Sequence, residues 1–141
     1  MRDFGSNDGQ DVDPLSQVIW RGFTHLDQGA HADHPNSSAF VSAGDDFISV
    51  CVVDPDWPSD FVPDWIRADW GLAILTVGDL LTAGFARVIW AERQFDTDSK
   101  AEVLLEGHSH ALYTGEGTGA RRRQAKKASE LSRFTRKATE P

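Results

Sequence analysis

The chain has a single cysteine, a single methionine and a single tyrosine in 141 residues. One thiol, Cys51, excludes an internal disulfide, so packing has to hold the fold, and a reducing compartment is expected. The thiol itself reads as a buried structural group within the apolar run Ile48 to Val53. Long apolar runs are missing as well. None approaches the roughly 20 residues that cross a bilayer, so no membrane partner is expected. The first residues, MRDFGSNDGQDVDP, carry no apolar stretch of the kind found in a secretory signal. These absences together predict a cytoplasmic protein. Paired cysteines, an HExxH helix and a GxxxxGK[ST] loop are absent too. No metal ligand set and no cofactor are therefore expected from motifs.

What is present suits one globular domain. Hydrophobic residues make up 40% and charged residues 26%, enough for a core at this length. The net charge of −8 conceals a division. Residues 121–141 hold eight of the 14 Lys and Arg against two Glu, a net of +6; the preceding residues carry −14. Such a division favours acidic–basic pairing, within the chain or with a partner.

The central stretch is Trp70 to Trp90, WGLAILTVGDLLTAGFARVIW. Its β-branched ends read as strands. Between them Thr76 fits a helix N-cap, with Asp79 three residues on as the capping-box acid and Gly84 as the stop. The unit is strand, short helix, strand, and its crossover is short for a parallel connection. Val18 to Trp20, Ser38 to Val41, Phe47 to Val53, Ala101 to Leu105 and Ala111 to Tyr113 read as further strands. Residues 1–13 are polar and acidic and are expected to be a disordered arm. Residues 14–114 form the domain. TGEGTGA ends it, and residues 115–120 are read as a flexible Gly-rich linker. The spacing of Ala125, Ala128, Leu131, Phe134 and Ala138 predicts a basic helix over 121–141, separate from the core. The fold class is α+β: a single domain with a mostly antiparallel sheet of five or six strands, two short helices and a C-terminal basic helix.

Residues 54–70, DPDWPSDFVPDWIRADW, repeat Pro-Asp-Trp. A helix is predicted from Phe61 to Ala68, capped by Ser59 or Asp60. Trp65 and Ile66 then either pack on the core or, with Trp57, offer an acidic aromatic surface to a basic partner.

Candidate chemistry is sparse. His31 and His34 form one close pair, His108 and His110 another. Two residues apart on a strand, His108 and His110 share a face. With Arg21 they permit acid–base work on a phosphodiester. Arg121, Arg122, Arg123, Lys126 and Lys127 suit phosphate contacts without base reading, hence weak, non-specific nucleic-acid binding.

Val18-Ile19-Trp20-Arg21-Gly22 at a strand end resembles the first motif of Arg–Ser–Glu mono-ADP-ribosyltransferases. Ser37-Ser38-Ala39-Phe40 resembles the second, and Lys100-Ala101-Glu102-Val103-Leu104-Leu105 the third. Lys100 stands where that family's first glutamate would be. The resemblance implies NAD as cofactor, Arg21 contacting the dinucleotide, Ser38 bracing the pocket and Glu102 as catalytic acid, with His110 a further candidate.

Two functions follow. The first is a small cytoplasmic interaction or accessory protein with a protein partner, binding through Trp57, Trp65 and the basic helix. There Arg21 pairs with an acid such as Asp27 or Asp33. The alternative is a small NAD- or nucleotide-handling enzyme, or a His-based phosphodiesterase. The enzyme requires Arg21, Ser38 and Glu102 in one cleft.

Overall fold

The computed structural model describes residues 5–42, 44–115 and 117–141. Residues 1–4 of the expected arm, Ala43 of the turn before Phe47 and Glu116 of the expected linker lie outside them. The strands are β1 (Val18–Phe23), β2 (Phe47–Val52), β3 (Gly71–Thr76), β4 (Arg87–Trp90), β5 (Arg93–Asp96), β6 (Ala101–Leu104), β7 (His108–Leu112) and β8 (Arg133–Arg136). The helices are α1 (Val77–Thr82) and α2 (Thr118–Leu131), with 3-10 turns at His25–Asp27 and Ser37–Phe40.

Six strands form one sheet in the order β4-β7-β2-β1-β3-β8, and β5 and β6 form a separate two-stranded sheet. Every ladder is antiparallel. The α+β class and the antiparallel sheet are as the sequence predicts. The central unit also forms as read. The Asp79 amide donates to Thr76 Oγ1 at 3.1 Å, and the Thr76 amide donates to Asp79 Oδ2 at 3.0 Å. Gly84, at φ +109°, ends the helix where a side chain would be strained. The two strands of this unit do not pair with each other; β1, β2 and β7 stand between them.

The sheet packs on both faces. Ile19, Ile48, Val50, Ala73, Leu75 and Ala111 bury one face with Leu80 of α1 and Ala125 and Ala128 of α2. Cys51 and Leu72 bury the other beneath Trp57, Trp65, Ile66 and Trp70. The strand expected to be buried on both faces, β2, has Ile48, Val50, Cys51 and Val52 all buried.

Four local expectations are corrected. Ser38 to Val41, read as a strand, lies in the 3-10 turn Ser37–Phe40 and its extended end, with no ladder partner. Residues 54–70 form turns, with no helix over 61–68. Phe61 donates to the Pro58 carbonyl and Ile66 to the Pro63 carbonyl, each closing a four-residue turn. Prolines at 58 and 63 supply no N–H, so a helical ladder gives way to turns there. Trp57 and Trp65 still reach the sheet, because the turns place them against it.

The acidic arm is docked from Gly5 onward. Gly9 donates to the Trp90 carbonyl, Trp90 to the Gln10 carbonyl and Val12 to the Val88 carbonyl. Val12 is 3% exposed. The edge of β4 has backbone groups that need partners, and this segment supplies them.

The C-terminal segment belongs to the domain. Its helix stops at Leu131, where Ser132 takes extended backbone and its hydroxyl donates to the Ser129 carbonyl. Residues Arg133–Arg136 then add β8 to the edge of β3. Phe134 packs against Phe23, ring centroids 5.8 Å apart. Ala125 and Ala128 are fully buried, so this segment is neither tethered nor separate.

Candidate functional site: a cleft at a divergence of strands

The site begins with a mismatch in pairing. β1 pairs with β3 along all six of its residues. It pairs with β2 only at Ile19–Val52 and Trp20–Cys51. Beyond Trp20 the two strands part, and β2 continues against β7. Backbone groups at such a divergence need other partners. Arg21 provides them. Its Nη1 donates to the Ser49 carbonyl at 2.7 Å and its Nε to the Ala39 carbonyl at 2.7 Å. The guanidinium thus ties β1 to β2 and to the Ser37–Phe40 turn.

A cleft of about 340 Å³ opens there. Arg21, Ser49, Cys51 and His108 line it from the sheet, and Trp65 and Trp70 from the turns of residues 54–70. Asp27 contributes from the 3-10 turn after β1. Ile66 adds aliphatic surface to the lining.

Arg21 makes no ion pair among the described residues. Burial pulls its pKa down, while the Tyr113 hydroxyl and the Asp27 carboxylate push it up. The guanidinium stays charged at any physiological pH. Its Nη2 makes no hydrogen bond among the described residues. No fully buried side-chain nitrogen or oxygen there lacks a partner, so Nη2 keeps some exposure.

His108 is held by Ala91, just beyond the end of β4, the strand paired with β7. Its Nδ1 lies 2.8 Å from the Ala91 carbonyl, which only accepts, so Nδ1 carries the proton and Nε2 is an acceptor. Burial lowers its pKa against the opposing pull of that bond and of Asp8 and Glu92, so the ring is neutral at pH 7. Trp65 meets it edge-on at 5.0 Å. His110 shares the face, as two-residue spacing predicts, its ring 5.2 Å from that of His108. It stacks on Phe47 at 3.8 Å and does not line the cleft. Burial, and then the neighbouring His108, lower its pKa to about 4.

Cys51 stands directly opposite His108 in the ladder. Burial, then Glu106 and Glu92, push its pKa well up, so it remains a thiol. It is the buried structural group the sequence suggested and has none of the thiolate character a nucleophile needs.

The other candidates are distributed. Ser38 is exposed on the turn whose Ala39 carbonyl Arg21 holds. Glu102 lies on β6, outside the cleft lining, exposed and 4.0 Å from Arg93. Arg21 and Ser38 are thus close in the fold and Glu102 is on the separate hairpin. Arg21 pairs with neither Asp27 nor Asp33. Trp57 and Trp65 turn inward, both donating to Glu106, the first to Oε1 at 3.2 Å and the second to the main-chain carbonyl at 2.8 Å. His31 and His34 stack at 4.4 Å beside α2. Among the described residues no group of three or more His, Cys, Asp or Glu is placed to hold a metal ion. No helix among them is long and apolar enough to cross a membrane.

Sequence reasoning paired His108 and His110 with Arg21 but carried only His110 into the enzyme's site, named Asp27 only as an ion-pair partner, and missed Trp70 and Ser49. Only the pairing of β2 with β7 sets His108 opposite Cys51, and no local pattern carries that register. Protein-family models, curated proteins and solved structures contain no match to the chain.

Proposed function

We propose that this protein is a binding module for a small planar organic anion, held in the Arg21 cleft. One observation carries this reading. A half-buried arginine, fixed by two carbonyls and in contact with no carboxylate, lines an aromatic-walled cleft whose nearest acid is Asp27. A partly buried cation in contact with no carboxylate is costly, and an anionic ligand that touches it relieves that cost. The guanidinium fork matches a carboxylate or phosphate in a way a lysine would not. The indole faces of Trp65 and Trp70 suit a flat ring, and His108 Nε2 suits a ligand N–H or O–H. At about 340 Å³ the cleft is near the small end of ligand sites, which run from roughly 300 to 1,000 Å³. It suits one ring system with one anionic group better than a whole dinucleotide.

Binding is favoured over catalysis because Glu102 is remote from Arg21 and Cys51 is held as a thiol. The reading keeps the protein in the accessory class and moves its binding surface from the outer faces of Trp57 and Trp65 to the cleft that Trp65 helps to wall. The nucleotide-handling alternative retains Arg21 as its anion contact, with NAD as the cofactor to be tested.

The test is calorimetry with indole-3-acetate, indole-3-acetamide, AMP and NAD. Binding of a ring anion, at least tenfold weakened in the neutral amide and in Arg21→Lys, is the expected result. Equal binding of acid and amide, or no binding of any ring anion, would overturn it. NAD binding lost in Arg21→Lys would instead favour the transferase-like enzyme.

A further inference from the structure

A second surface is independent of the cleft. In α2 the buried residues are Gln124, Ala125, Ala128 and Ser129. At about 100° per residue these occupy one side of the helix, Arg123, Lys126 and Lys127 occupy the opposite side, and Arg122 lies at the margin beside Ser129. All four are exposed. None makes a hydrogen bond or ion pair among the described residues. Other arginines there are engaged: Arg67 with Asp69, Arg87 with Asp11, Arg121 with Asp46. Arg121, grouped with these four by sequence, also donates to the Asp45 carbonyl at 2.9 Å and lies over the Tyr113 ring at 5.1 Å. It belongs to the fold and not to the outer face.

We propose that Arg122, Arg123, Lys126 and Lys127 form a docking face for the phosphate backbone of nucleic acid. The −14 on the residues before 121 has left these four cations unneutralised, so their charge is available to a partner. The helix is already seated through Ala125 and Ala128, with Ser129 donating to the Pro35 carbonyl at 2.5 Å, so binding adds no cost of ordering the backbone. The outer face of the basic turn, Arg122 to Lys127, has no exposed apolar side chain. A protein interface needs a desolvated apolar or aromatic centre, and a membrane-surface helix needs an apolar face to insert. A phosphate backbone needs neither; it needs closely spaced cations. No base-reading group accompanies them, so binding is independent of sequence. The acidic body confines contact to this one face.

The test uses the full chain and a fluorescein-labelled duplex of mixed sequence, read by anisotropy. Four phosphate contacts predict a slope of about −3.6 in log K against log salt, or roughly a hundredfold weakening between 50 and 200 mM salt. The variant R122Q/R123Q/K126Q/K127Q should weaken binding at least tenfold at 50 mM salt with its melting temperature unchanged, because the four side chains are exposed and make no hydrogen bond or ion pair among the described residues. Arg21→Lys should bind the duplex as wild type does, which separates this face from the cleft. Absence of duplex binding at 50 mM salt would overturn the proposal. So would duplex binding that survives the quadruple change, or equal affinity for polyglutamate or anionic vesicles through the same four residues. If the quadruple variant melts early, single Arg122→Gln and Lys126→Gln variants decide: each should lower the salt slope by about 0.9, and an unchanged slope refutes the proposal.

Discussion

Arg21 reaches across the divergence of two strands to the Ser49 carbonyl at 2.7 Å and so replaces a rung of the ladder that β1 and β2 no longer make. The same side chain opens the cleft and holds its edges together. Arg21→Lys should therefore cost stability as well as ligand. An ammonium on a flexible stem does not serve both the Ser49 and Ala39 carbonyls in one geometry. A lost hydrogen bond to a charged donor and a carbonyl left unpaired amount to about 1–3 kcal/mol. Urea denaturation measures it as a lower midpoint at unchanged slope. An unchanged midpoint would mean that the divergence is held by backbone alone.

Truncation before α2 should destroy the cooperative transition. Deleting residues 118–141 removes Ala125 and Ala128 from the core and uncovers the edge of β3 and the ring of Phe23. Near-ultraviolet circular dichroism and a thermal melt of the shortened chain check this. A sharp melt would show that the β-sheet stands without them.

Gly107 occupies φ +79°, and a Cβ there would lie 2.7 Å from the Val52 carbonyl oxygen and 3.0 Å from Cys51 Sγ. Its amide also donates to Glu92 Oε2 at 2.8 Å. Gly107→Ala should cost at least about 1–2 kcal/mol from the left-handed backbone alone. Contact with a main-chain oxygen adds to that, since the neighbour is not a flexible tip. Differential scanning calorimetry should show a lower melting temperature, and a rise would contradict the packing described.

Stability should fall with acid through His110. Its pKa is about 4 in the fold against an ordinary 6.5. Between those values the unfolded chain holds more protons than the native one, so stability rises with pH there. The contribution is fully present above pH 6.5 and is lost as pH falls towards 4. His108, also lowered, acts in the same direction. His110→Phe keeps a ring on Phe47 and should flatten this part of the profile. Melting temperatures of wild type and variant from pH 4 to 7 check it, and parallel curves would remove His110 as the cause.

What the sequence determined by itself is what local chemistry determines. Thr76, Asp79 and Gly84 act within one or two turns of chain, so the α1 boundaries were readable without knowing any neighbour. The β-branched runs at Ile19, Val50 and Val88 likewise named strands and, with the short connections, an antiparallel sheet. The tertiary structure decided the rest. Phe134 and Ala138 carry helical spacing after Ala128, yet the open edge of β3 draws residues 133–136 into a strand. Val12 looks like one apolar residue in an acidic arm until the edge of β4 gives it a seat. Trp57 and Trp65 look alike in either reading of residues 54–70, and only Glu106, 49 and 41 residues on, turns both indoles inward. The cleft is the clearest case. Nothing near Arg21 in sequence shows that β1 leaves β2 after Trp20, or that β7 brings His108 to the same place. Register between distant strands is set by which faces must be buried together, and that is a property of the whole sheet.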